Sequence, residues 1–128
     1  MILRRTAGMA LLLVLVIARP SASDAEPDTA DFNIGYRVLD LADPKRRAEG
    51  ALTVAVWYPT RSRPEAFTYG GPTSGRVAVD ALPDAVSGPY PLLVYSHGYG
   101  GGGLSAVFFT EYLASRGWVV VAPDHRDP

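Results

Sequence analysis

Hydrophobic and polar positions change rhythm several times along the chain, and each rhythm predicts a different element. The first is an unbroken apolar run, Ala10-Leu-Leu-Leu-Val-Leu-Val-Ile-Ala18, with Arg4 and Arg5 before it and the small residues Ser21, Ala22, Ser23 and Ala25 after it. Charged, apolar, small is the order of a secretory signal peptide. The run falls short of the roughly 20 apolar residues that a membrane span needs. Cleavage is expected after Ser23, with Ala25 as the alternative, so residues 1–23 read as a signal segment and 24–30 as a polar tail. The folded domain is then expected over residues 31–128.

A period of two follows. Ile34, Tyr36 and Val38 alternate with Arg37 and Leu39, the pattern of a half-buried strand. Leu52–Tyr58 is β-branched and aromatic, with Pro59 as its expected stop, and can pair antiparallel with the first strand across the Asp43–Gly50 connection. From Thr60 to Pro89 glycines and prolines interrupt a polar stretch, which reads as a surface excursion near a substrate mouth rather than as regular structure. Pro91–Tyr95 is continuously apolar, as in a strand buried on both faces. In Leu104–Arg116 the positions Leu104, Phe108, Tyr112 and Phe109, Leu113 recur at helical spacing, with Arg116 and Gly117 as a cationic end and a glycine stop. Trp118–Ala122 is a second buried-strand run. Strand, helix, strand predicts a right-handed parallel crossover, so the fold class is α/β: an antiparallel hairpin followed by that crossover.

Composition narrows the classes of function. With 12 Lys and Arg against 13 Asp and Glu, the formal charge is −1 and no basic stripe invites nucleic acid. The absence of cysteine rules out disulfides and thiolate metal sites.

Chemistry concentrates in Tyr95-Ser-His-Gly-Tyr-Gly-Gly-Gly-Gly103, where a strand ends and a helix begins. Ligands bind at that place in open α/β sheets. Five glycines among the six residues from Gly98 to Gly103 let backbone approach a ligand closely, and exposed N–H groups there can hold negative charge. Two chemistries use such a loop. One is an oxyanion hole for acyl transfer. The other is a dinucleotide loop, since Gly98, Gly100 and Gly103 fit G-x-G-x-x-G and Asp124 ends the next strand. The bulky pair Ser96-His97 and Pro123 argue against the second.

These residues carry a resemblance. Ser96-His-Gly-Tyr-Gly-Gly, Pro89-Tyr-Pro-Leu-Leu-Val-Tyr before it, Leu113-Ala-Ser-Arg-Gly-Trp, and Val119-Val-Val-Ala-Pro-Asp-His-Arg-Asp127 resemble the bacterial platelet-activating-factor acetylhydrolase and dienelactone-hydrolase-like branch of the α/β-hydrolases. Gly35-Tyr-Arg and Val54-Ala-Val-Trp-Tyr-Pro59 are similar to the first two strands of that branch. The resemblance implies the N-terminal part of an α/β-hydrolase sheet, incomplete at its C-terminal side. It implies a serine hydrolase of short-acyl lipids or small esters needing no cofactor, and the signal segment adds export to a secreted or periplasmic place, with signal peptidase met on the way. Tyr99 would give its backbone N–H to the oxyanion, Gly98, Tyr99 and Gly100 would meet substrate, and His97 would support the loop.

No G-x-S-x-G elbow is present, so nucleophile, acid and base are expected outside this chain. Ser105 lacks the second glycine and suits a capping role, and Ser96 follows a bulky residue where an elbow needs a small one. The two histidines, His97 and His125, precede the place where the family's base falls, and His125 is expected to shape a turn with Asp124 and Asp127. A metal site of His97, Asp124 and His125 would need two strand ends to converge, and none is proposed. The competing reading is a non-catalytic binding module on the same fold, or an inactive truncated product.

Overall fold

The computed structural model describes residues 32–42 and 50–125. The signal segment, the polar tail, Asp31, most of the connection after Ala42 and Asp127 lie outside the described residues. Strands β1 (Asn33–Leu41) and β2 (Leu52–Thr60) form the expected antiparallel hairpin, in continuous register from Asn33↔Thr60 to Leu41↔Leu52. Pro59 does not stop β2. Pairing of β2 with the last strand reaches only Trp57, so the missing N–H of Pro59 leaves no gap in that ladder.

The excursion after Thr60 is a correction to the sequence reading. It contains a second hairpin, β3 (Glu65–Gly70) and β4 (Thr73–Val79), turning at Gly70 and Gly71, both with positive φ. β4 runs parallel to β1 through Gly35↔Ala78 and Tyr36↔Val79. What drives it is an aromatic cluster: Phe67 and Tyr69 pack on Tyr36 at 5.3 and 4.8 Å between ring centres, and Tyr36 packs on Trp57 at 5.3 Å. Trp57 Nε1–H donates to the Tyr69 oxygen at 2.9 Å, and the Tyr69 hydroxyl donates to Glu111 Oε1 at 2.7 Å. Burial raises the pKa of both Tyr69 and Glu111.

The remaining part of the excursion is fastened to β2. Tyr58 OH donates to Ala81 O and Thr60 Oγ1 to Leu82 O, each at 2.7 Å. Asp84, buried, accepts from Tyr90 OH at 2.8 Å, from Arg61 Nε at 3.2 Å and from Val86 N at 3.0 Å.

Then come β5 (Leu92–Val94), α1 (Val107–Ser115) and β6 (Val119–Pro123), with β5 and β6 parallel, the crossover expected from the sequence. The six described strands form one mixed sheet in the order β3-β4-β1-β2-β6-β5. Two expectations fail here. β5 was expected buried on both faces, yet Leu92 and Val94 are 62% and 63% exposed, because β5 ends the described sheet and pairs with β6 alone. The helix begins at Val107 rather than Leu104, since turns occupy the preceding residues. Its buried face is therefore Val107, Thr110 and Ala114, at i, i+3 and i+7, against β1, β2 and β6. Phe108 and Tyr112 lie exposed. Gly117 ends the helix in the left-handed region at φ +85°, its N–H donating to Ala114 O, as a glycine stop should.

Candidate active site

Between β5 and α1 the chain crosses the C-terminal end of the parallel pair, where such sheets present ligand-binding loops. Tyr95 N still donates to Val121 O at 2.8 Å, so the strand direction holds up to Ser96-His97. The chain then turns. Gly98 O accepts from Gly101 N at 2.9 Å, and Gly102 and Ser105 exchange two bonds, Gly102 N to Ser105 Oγ at 2.9 Å and Ser105 N to Gly102 O at 3.0 Å. Ser105 thus braces the loop ahead of the helix, not within it. The helix itself starts on Ala106 without a side-chain cap.

His97 is 5% exposed, and its Nδ1 lies 3.0 Å from Gly98 O. A carbonyl oxygen only accepts, so Nδ1 carries the proton. Gly98 O therefore takes two donors, from His97 and from Gly101. That oxygen belongs to the same planar, trans peptide as the Tyr99 N–H, since among described residues the only cis peptide is Gly88–Pro89. In a trans peptide the N–H points opposite to the C=O. Tying the carbonyl inward to a buried ring turns the Tyr99 N–H outward, and no described protein group accepts from it. Gly98, Tyr99 and Gly100 are all exposed, Tyr99 at 91%. Gly98, Tyr99 and Gly100 are thus brought together with His97, the last beneath the other three. An outward N–H on a doubly tethered peptide is a fit donor for an oxygen that gains negative charge.

The end of β6 closes over the loop from the other side. Asp124 Oδ1 accepts from Gly103 N at 3.2 Å and stands 3.8 Å from His97 Nε2. His125 stacks on His97 with ring centres 3.8 Å apart and planes 10° from parallel, and its Nε2 shares a hydrogen bond with Ser96 Oγ at 3.0 Å. The two strand ends do converge, which the sequence left open. Parallel rings keep the two imidazoles from aiming at one point, and no group of three or more potential metal ligands forms among the described residues. The contacts of Asp124 with the loop and of His125 with Ser96 were missed in the sequence, where both residues were assigned to a turn of their own. Nothing short-range signals contacts 21 and 29 residues apart.

Beside the loop exit, Thr73 and Ser74 at the start of β4 face Leu104, Ser105, Phe108 and Glu111 across a groove. The excursion therefore does reach the neighbourhood of the loop.

Sheet order, crossover and loop position are those of an α/β-hydrolase sheet, or of the part of one that this chain spans. The likeness is to the platelet-activating factor acetylhydrolase, isoform II, family, whose model matches residues 74–128. Among solved structures, a ferulic acid esterase from Streptomyces cinnamoneus matches 81% of this chain with a TM-score of 0.62 and 28% sequence identity. The match covers 35% of that esterase, so this chain corresponds to about a third of it.

Proposed function

We propose that the Gly98–Gly103 loop is the oxyanion-binding half of the active site of an exported serine esterase, acting on short-acyl lipids or other small esters. The observation that carries the reading is the outward Tyr99 N–H, on a peptide whose carbonyl is held by His97 and Gly101. As an ester carbonyl becomes tetrahedral its oxygen gains charge, and a preorganised N–H aimed at that oxygen stabilises the transition state more than the ground state. One such donor typically lowers the barrier by about 2.7–4 kcal/mol. Gly98 and Gly100 leave room for the acyl carbon to approach. The second donor, the serine nucleophile, its acid and its histidine base are assigned to none of the described residues. The exposed Tyr99 ring lies against the acyl group, so Tyr99→Ala raises KM and leaves the backbone donor in place.

Incubating the full-length protein with p-nitrophenyl acetate, and separately with a serine-directed fluorophosphonate, tests the reading. Turnover together with covalent labelling is expected. Neither turnover nor labelling would leave a non-catalytic binding module as the function. Export is tested by N-terminal sequencing of the protein recovered outside the cytoplasm, which should begin at Asp24 or Glu26.

A further inference from the structure

The end of β6 meets the exit of the loop, and the Tyr99 peptide at its entrance is held by His97. Its Nε2 is buried and has no hydrogen-bond partner among the described residues. The group facing it is the Asp124 carboxylate, at 3.8 Å, too far for a hydrogen bond, and with the ring proton on Nδ1 the two make no bond. The same oxygen, Oδ1, accepts the Gly103 N–H at 3.2 Å. A Cβ at Gly102 would come within 3.0 Å of it, so the loop lies directly against this carboxylate. Asp124 is in turn fixed by the sheet, its own N–H donating to Thr53 O at 2.8 Å.

We propose that Asp124 is a positioning residue for the ester-hydrolysing loop: from the end of β6 it holds the exit of the loop through the Gly103 N–H. The order of contacts is then sheet, Asp124, Gly103, and along the loop the Gly98–Tyr99 peptide, whose carbonyl takes the Gly101 N–H. Asp124 touches neither substrate nor oxyanion. It acts by keeping the peptide plane of Gly98–Tyr99 from rotating, and a donor that is free to rotate gives up the advantage of preorganisation. The Gly103 contact stops the far end of a glycine-rich segment from opening. Stacking of His125 on His97 limits the remaining tilt of the ring.

The kinetic part of this proposal rests on the esterase reading above, and the structural part does not, so two measurements separate them. In the full-length protein, Asp124→Ala should lower kcat on p-nitrophenyl acetate about tenfold or more with KM nearly unchanged, the signature of an interaction used in the transition state. Asp124→Asn, which keeps an oxygen for the Gly103 N–H, should stay closer to the parent than to Ala. Independently of activity, hydrogen exchange of the Gly103 amide should accelerate in Asp124→Ala and be largely preserved in Asp124→Asn. Unchanged kcat in both variants would overturn the proposal, and so would unchanged Gly103 exchange in Asp124→Ala. Should Asp124→Ala not fold, Asp124→Ser, too short to reach the Gly103 N–H, takes its place, and parent-like kcat and Gly103 exchange in it would overturn the proposal. A parent protein without esterase activity would sink the esterase reading, and the Gly103 exchange would still decide whether Asp124 holds the loop.

Discussion

Gly103 shows how tightly single residues are fitted around the loop. A Cβ there would sit 2.7 Å from the carbonyl oxygen of Ala122, a backbone atom of the central sheet with little freedom to retreat. Gly103→Ala is therefore expected to destabilise the fold by about 1–3 kcal/mol, the usual range for overpacking, and to displace the loop. Urea unfolding and esterase turnover measured on the same variant should both fall. Two carboxyls give opposite pH signatures. The Tyr90 hydroxyl, with help from Ser87, Val86 N and Arg61, holds Asp84 down at about 2 against an ordinary 3.8. Its contribution is fully present above about pH 4 and is lost as pH falls through 2, and Asp84→Asn should remove that acid dependence. Glu111 is raised above 4.5 by burial, so its contribution is present below pH 4.5 and is lost as pH rises through the folded-state value. Glu111→Gln keeps an acceptor for Tyr69, and should gain stability relative to the parent between pH 4 and pH 8. A pH-independent difference in denaturation would contradict this.

At the level of elements, what could be read from the chain depended on whether burial obeyed a local period. The β1–β2 hairpin was legible because Ile34 and Tyr36 keep a period of two and Trp57 faces Tyr36 in the resulting register. The crossover was legible from its two apolar runs and the intervening glycines. Glu65–Val79 was not, although Phe67 and Tyr69 already alternate there, because Gly70-Gly71-Pro72 and Gly75 read as breakage rather than as a turn between short strands. The cluster that justifies this hairpin is tertiary, and Tyr36 and Trp57 are distant in sequence. Helix α1 fails for a different reason. Its largest apolar residues are outward and its buried face is made of Val107, Thr110 and Ala114, small enough for close approach to the sheet. Ala114→Leu, at a site with 0% exposure, should cost about 1–3 kcal/mol. Phe108→Ser, at 80% exposure, should change stability by no more than about 0.5 kcal/mol. Denaturant midpoints for the pair check the assignment of faces.

Taken whole, the molecule puts one end of a parallel strand pair to chemical use. The glycine loop, its place after a strand and its likeness to ester hydrolases were readable in Ser96–Gly103, because glycine density and position are local properties. The tethering was not, because Asp124 and His125 reach the loop only once β5 and β6 are paired. At the edge of the described sheet β5, the strand that leads into the loop, leaves Leu92 and Val94 exposed and is paired with β6 alone. Residues 31–128 expressed alone should consequently be poorly soluble and inactive on p-nitrophenyl acetate. A soluble monomer with steady turnover would contradict that expectation. The most direct measurement of the central claim is a crystal structure of the full-length protein with its nucleophilic serine phosphonylated, a tetrahedral mimic of the reacting ester. The account predicts a phosphonyl oxygen about 2.7–3.1 Å from the Tyr99 backbone nitrogen. A phosphonyl oxygen held elsewhere, with the Tyr99 N–H turned away from it, would contradict the account.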